Sequence, residues 1–321
     1  MKKCDITVLL GSILLAVTSC SNPSPATVVY PNPDEISVVV LGTIQDAGSP
    51  QVGCTKECCT NLFTTPDPDR KVVSLGLIAR GTEKIWLFEA TPDFTTQMKL
   101  LNMHLGSVEE KVPNGIFLTH AHIGHYTGLM YLGKEAMNAA QVPVYAMPRM
   151  KQFLENNGPW NKLVTDSNIT IRAIEDGAAI QLSTNIKVTP FTVPHRDEFS
   201  ETVGFRIEGP NKKLLFIPDI DKWTKWSTDI IEEIQKVDYA FLDATFYDEH
   251  ELKNRDMSEV PHPFIVESME LFKDLSELDK NKVHFIHFNH TNPVIHINKT
   301  HSLSVIKEGY KIAKLNQIVA L

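Results

Sequence analysis

The sequence predicts an α/β fold, an αββα sandwich in which two β-sheets pack face to face with helices on the outside. Three observations lead there. Short β-branched or apolar runs bounded by glycine and proline recur along the chain and read as strands. They come mostly strand after strand at first and then alternate with helical segments, in two halves of similar size, which suggests two packed sheets. Hydrophobic residues fill 42% of the 321 positions, enough for a sizeable core, and no low-complexity segment or short-period repeat intervenes.

An export signal comes first. Lys2 and Lys3 form a positive start and residues 6–17 an apolar run. About a dozen residues at roughly 1.5 Å each do not span ~30 Å of hydrocarbon, so residues 1–19 read as a cleaved signal peptide. Val17-Thr18-Ser19-Cys20 resembles a bacterial lipobox, which implies lipidation of Cys20 and contact with the membrane through that anchor only. Ser21 after the cysteine, in place of Asp, implies sorting to the outer membrane, facing the periplasm. Residues 20–35 hold Pro23, Pro25, Pro31 and Pro33 and form a stiff tether, leaving 36–321 as the folded domain.

Within that domain the first half predicts strands at 37–42, 73–78, 84–89, 115–118 and 142–146, the second and third joined as a hairpin through Arg80-Gly81-Thr82-Glu83. Helices are expected at 95–105, at 127–140 despite Gly128 and Gly133, and at 149–156, where Asn157-Gly158-Pro159 stops the chain. The second half predicts strands at 169–174, 186–191, 202–207, 213–217, 239–243 and 282–286, with helices at 228–237 and 263–275. The net charge of −8 leaves no basic stripe for a polynucleotide, so the expected partner is a small-molecule substrate and not a nucleic acid.

The chemistry concentrates in histidines and cysteines. His120, His122 and His125 follow a buried strand in Thr119-His120-Ala121-His122-Ile123-Gly124-His125. Residues two apart in an extended segment point the same way, so His120 and His122 can converge on one ion, and imidazole suits zinc and its neighbours. Of five cysteines, Cys4 leaves with the signal and Cys20 takes the lipid, and Cys54, Cys58 and Cys59 lie within six residues. An odd cluster in an exported chain reads as a metal site, or as a Cys54–Cys58 or Cys54–Cys59 disulfide with one thiol left over.

The histidine pattern is similar to the His-x-His-x-Asp-His motif of the metallo-β-lactamase superfamily, and the likeness runs from about Val38 to the C-terminus. Pro194-His195, Pro218-Asp219 and His287 each follow a strand-like run, as that family's remaining ligands do. The resemblance implies that His120, His122 and His195 hold one metal and His125 and His287 a second, with Asp219 bridging. Gly48-Ser49-Pro50-Gln51-Val52-Gly53-Cys54, Leu242-Asp243-Ala244-Thr245-Phe246 and Ile286-His287-Phe288-Asn289-His290-Thr291-Asn292-Pro293 look like a subgroup. It contains pyrroloquinoline-quinone biosynthesis protein B and the cyclic-phosphate phosphodiesterase of phosphonate breakdown. That likeness implies a structural zinc on Cys54, Cys58, Cys59 and His290, although the cysteine spacing differs from the phosphodiesterase's.

By the same likeness His262 would protonate a leaving group, for which an imidazole suits neutral pH. Asp93, just after a strand, would orient a ligand histidine. The departure is Gly124, which stands where hydrolytic members carry an aspartate ligand to the second metal. The first site is complete without it; the second is left with His125, His287 and Asp219. The expected activity is metal-dependent hydrolysis of a small ester or phosphodiester, with Asp219 organising the metals and a metal-held hydroxide as nucleophile. One or two zinc ions are expected at the histidines, iron or manganese being alternatives, and one at the cysteines. The rival readings are an iron-dependent oxygenase or hydroxylase like the quinone-biosynthesis protein, and a non-catalytic metal-binding lipoprotein.

Overall fold

The computed structural model describes residues 35–107, 109–252, 256–296 and 299–321. The signal segment, Cys20 and the tether up to residue 34 lie outside the described residues. The first half of the domain forms β1 (Ile36–Gly42), β2 (Ser74–Ala79), β3 (Lys84–Phe88), β4 (Gly115–Phe117), β5 (Val142–Ala146) and β6 (Ile169–Ala173). The second half forms β7 (Ile180–Ser183), β8 (Ile186–Thr192), β9 (Val203–Glu208), β10 (Lys213–Ile217), β11 (Tyr239–Asp243) and β12 (Val283–Ile286). Two short strands follow, β13 (Lys311–Ile312) and β14 (Ile318–Ala320).

These strands build two seven-stranded sheets, ordered β14-β1-β2-β3-β4-β5-β6 and β13-β12-β11-β10-β9-β8-β7. Each is mixed. β3 to β6 run parallel in one and β10 to β13 in the other, and the remaining neighbours pair antiparallel. β14 crosses back to pair with β1, Ala320 opposite Ser37, so the C-terminus completes the N-terminal sheet.

Three apolar layers show why the sheets stack. Alternation along β1 sends Val38 and Val40 inward and Val39 and Leu41 outward. The inner faces share one cluster, in which Phe88 stacks on Phe117 with centroids 4.9 Å apart and Phe205 of the other sheet meets Phe88 edge-on at 5.4 Å. The outer face of the first sheet is covered by helices Phe94–Leu105, Pro148–Asn156 and Trp160–Thr165. That of the second is covered by Ile230–Gln235, Ile265–Leu271 and Thr300–Lys307. The αββα sandwich expected from the sequence is the observed architecture.

The strands expected at 213–217 and 239–243 have the observed bounds, and most others agree to within a residue or two. The helix expected over 127–140 is corrected. The chain makes one helical turn, Ile123–Tyr126, then a 3-10 stretch, Thr127–Leu132, and no regular helix beyond. A Cβ on Gly128 would lie 2.2 Å from the Thr91 carbonyl oxygen, so that glycine serves close packing of the segment against residues 90–94. β7, β13, β14 and the helices Trp160–Thr165 and Thr300–Lys307 went unpredicted, being short or carrying few apolar positions. Among the described residues no helix is long and apolar enough to cross a membrane.

Candidate metal centre

The loops that follow β1, β3, β4, β8, β10 and β12, with the end of β11, carry the polar groups of one buried site. His122 is extended, at φ −84° and ψ 145°, and the rings of His120 and His122 fall together as their spacing predicts. His120 Nε2 and His122 Nδ1 lie 2.8 Å apart. The helical turn that follows swings His125 to the neighbouring position, its amide bonded to the His122 carbonyl. His195 follows β8, Asp219 follows β10 and His287 follows β12.

Asp219 sits at the centre. Its carboxylate oxygens lie 3.3 Å from His120 Nε2, 3.9 Å from His122 Nδ1, 3.3 Å from His195 Nε2 and 3.8 Å from His125 Nε2. His120, His122, His195 and Asp219 present donor atoms all within 4.8 Å of one another, as do Asp219, Asp243, His262 and His287. Both ring nitrogens of His125 and of His195, Nε2 of His287 and Oδ1 of Asp219 are buried without a hydrogen-bond partner. Buried polar atoms are ordinarily satisfied, and leaving several unpaired at one point is costly. The set fits a cation, and its chemistry of imidazole and carboxylate is that of zinc, iron and manganese sites.

The electrostatics mark a site where buried carboxylates and imidazoles offset one another. Burial and the charge of His125 push His120 well below the usual imidazole range, which keeps its lone pair free. Burial would raise Asp219, but His195 and His262, with hydrogen bonds from His120 and His122, hold it well below the carboxylate range. Burial opposes charge on His125, yet Glu89 first, then Asp46 and Asp219, lift it to about 9. Burial likewise opposes charge on His262, and Asp243 and Asp219 lift it to about 10.

A ring of groups holds the ligands in place, and sequence reasoning found few of them. Thr119 Oγ1 contacts His120 Nδ1 at 2.9 Å, and Thr245 Oγ1 contacts His287 Nδ1 at 2.8 Å. Asp243 accepts from Thr245 Oγ1 and lies 2.8 Å from His262 Nδ1. The role expected of Asp93 is corrected. Asp93 accepts from the Val72 amide at 2.8 Å, and the carboxylate beside a ligand histidine is Glu89, 3.4 Å from His125 Nδ1. Glu89 and His287 are fully buried and both take left-handed backbone, at φ 75° and 68°, a conformation that costs about 1–3 kcal/mol and persists where surroundings enforce it. The signal that could have found Glu89 and Asp243 is shared with Asp219 and His287: each stands at or just after the end of a strand.

Position 124 resolves differently from the sequence reading. Gly124 supplies no side chain, but Asp46, from the loop after β1, brings a carboxylate oxygen within 4.8 Å of donor nitrogens on His125 and His287. Sequence reasoning passed over Asp46 entirely.

Cys54, Cys58, Cys59 and His290 come together as the sequence suggested, their donor atoms within 4.8 Å of one another. All three thiols are free in this structure, and Cys58 Sγ lies 3.9 Å from Cys59 Sγ. Burial first, then Cys59 and Cys54, pushes the Cys58 thiol up to about 12, and a bound cation would favour its thiolate. Between this cluster and the histidine centre lies a cleft of about 740 Å³, lined by His262, Thr245, Gln45, Arg196, Lys56 and Lys225 among others.

The beta-lactamase superfamily domain matches residues 86–288, more than half of the chain. The chain belongs to that superfamily. Curated relatives include coenzyme PQQ synthesis protein B of Methylorubrum extorquens, 22% identical over 86% of this chain and 97% of the relative. The counterpart from Methylococcus capsulatus is 24% identical over 85% and 96%. Among solved structures, Zn(2+)-bound PqqB from Methylobacterium extorquens superposes with a TM-score of 0.72 at 21% identity, covering 89% of this chain and 100% of that one. A diphosphatase from the PhnP family gives 0.63 at 21% identity, covering 89% and 97%. Both share this member's fold.

Proposed function

We propose that this superfamily member is a metal-dependent hydrolase acting on a small anionic ester or phosphodiester. The observation that carries the reading is the complete set His120, His122, His195 and Asp219, with unsatisfied buried donors, beside a cleft that His262 also lines. Bound there, a zinc-type ion supplies Lewis acidity and lowers the pKa of a coordinated water. Asp219 spans the two histidine groups and fixes their separation. Arg196 and Lys56 line the cleft and favour an anion, while Lys225 there is paired with Asp221 at 2.7 Å. His262 has Nδ1 engaged by Asp243, which leaves Nε2 to give a proton to a departing oxygen. The similarity to a diphosphatase of the PhnP family supports phosphoester chemistry, and the zinc-bound PqqB neighbour supports zinc as the resident ion. The lipobox supports a Cys20-anchored protein of the outer membrane, facing the periplasm.

The test is turnover of bis-p-nitrophenyl phosphate by the zinc- or manganese-loaded domain. His262→Asn is expected to lower kcat by about 10²–10⁴ with metal content unchanged, whereas His120→Ala loses the metal. Absence of turnover in fully loaded protein, with iron bound and oxygen consumed in the presence of a reductant, would instead favour the oxygenase chemistry that likeness to coenzyme PQQ synthesis protein B suggests.

A further inference from the structure

We propose that Asp46 is a metal ligand, completing a second metal position with His125 and His287, and that Gly124 is glycine because Asp46 occupies its side-chain space. The inference rests on the metal-centre reading above and adds to it a residue that the histidine motif does not contain. Its first support is convergence. Asp46, His125 and His287 bring one donor atom each within 4.8 Å of the other two. His125 and His287 are fully buried, and His125 Nδ1 and Nε2 and His287 Nε2 have no hydrogen-bond partner. A half-buried carboxylate facing unpaired buried imidazole nitrogens supplies the charge a divalent ion needs.

The second support is steric. A Cβ built on Gly124 would lie 1.7 Å from Asp46 Cβ and 2.3 Å from Asp46 Cα. No flexible tip can yield there, because the obstruction includes backbone. Any side chain at 124 therefore evicts Asp46, and Asp46 in place demands glycine at 124. One carboxylate fits in that space, delivered from either chain segment but not from both.

The third support is the rigidity of delivery. The Gln45 amide donates to the Phe288 carbonyl at 2.8 Å, and the Phe288 amide donates to the Thr43 carbonyl at 2.8 Å. The segment carrying Asp46 is thus laced to the residue directly after His287, so these two ligands move as one unit. Gln45 Nε2 also donates to Asp46 Oδ1, which sets the rotation of the carboxylate. A ligand held this way arrives preorganised, and its removal affects one ion more than the other.

The experiment is a titration of metal-free protein with Co²⁺, in which the thiolate-held ion is separated by its charge-transfer absorption. Wild type is expected to take two ions at the histidine centre besides the one at the cysteines. Asp46→Ala and the more conservative Asp46→Asn are expected to weaken one histidine-held ion by about 10–100-fold while the other keeps its affinity and the cysteine site still fills. The retained cysteine signal reports that both variants are folded. Gly124→Asp alone should lose the same ion through the clash, and the double variant Asp46→Gly with Gly124→Asp should recover it. Two ions in wild type with affinities unchanged in Asp46→Ala, or a single histidine-held ion unaffected by it, would overturn the role of Asp46 and leave the metal centre standing. No uptake at the histidines of wild type would overturn both.

Discussion

Glu89 shows how much the centre depends on single side chains that bind nothing themselves. It is fully buried, and His125 Nδ1, at 3.4 Å, is its one ion-pair partner among the described residues. A carboxylate in that place fixes which imidazole nitrogen carries the proton and makes the other a better donor. Glu89→Gln keeps the shape and removes the charge, and it should weaken the ion at His125 by about 10–100-fold, read by the same Co²⁺ titration. An unchanged affinity would reduce Glu89 to a packing residue. The convergence of His120, His122, His125, His195, Asp219 and His287 was legible because three histidines crowd one loop and the others follow strand-like runs. Glu89, Asp46 and Asp243 were not, because acidic residues are common and only the folded topology shows which strand ends converge.

At the scale of elements, the 31-residue stretch between β1 and β2 is the unusual one. Its only regular structure is a four-residue helix, Glu57–Thr60, and a 3-10 turn, Asn61–Phe63. Loops of that length without much structure usually serve function and need staples. Here Gln97 Nε2 donates to the Val72 and Leu41 carbonyls at the root, Arg70 donates to Ser49 Oγ across the loop, and the cysteine cluster gathers the tip onto His290. Cys54→Ser is therefore expected to release one metal per chain and to speed proteolysis within residues 47–66 several-fold, with the ion at His120, His122 and His195 retained. Equal metal content in variant and wild type would argue that the thiols are bystanders. The sequence marked this loop by its glycines, prolines and cysteines. It misjudged residues 127–140, where helix-forming composition lost to the close approach of Gly128 to Thr91.

Across the whole molecule the two sheets and their three apolar layers were readable from the strand pattern, because the unbroken apolar run of β1 and the alternation along β5 and β8 report burial directly. The C-terminal pieces were not, since β13 and β14 span two and three residues and gain their place by pairing with strands far away in sequence. One buried group outside the metal centre contributes to how the fold responds to acid. His284 on β12 stacks on Phe241 and contacts the Lys282 carbonyl, and burial pushes it down to about 4, with the Lys282 carbonyl opposing and Lys311 adding to the fall. An unfolded chain takes up this proton near 6.5, the folded one only near 4, so the unfolded state binds more protons in between. Stability from this group is then present above 6.5 and lost as pH falls toward 4, by roughly 2–3 kcal/mol. Denaturant unfolding at pH 7 and pH 4.5 should show that loss shrinking in His284→Gln; an identical pH slope would rule His284 out as its source.

The loop between β1 and β2 also carries a consequence for metal supply. Asp46 near its start and the three cysteines near its middle belong to one continuous segment, closed onto Phe288 and His290 of another. An ion at either end restrains the segment that the other end must order, so part of the entropy of the second binding event is already met by the first. Reciprocity then requires each ion to tighten the other by the same factor. Where both centres fill, their filling is cooperative and spans a narrower range of free metal than either site alone would give.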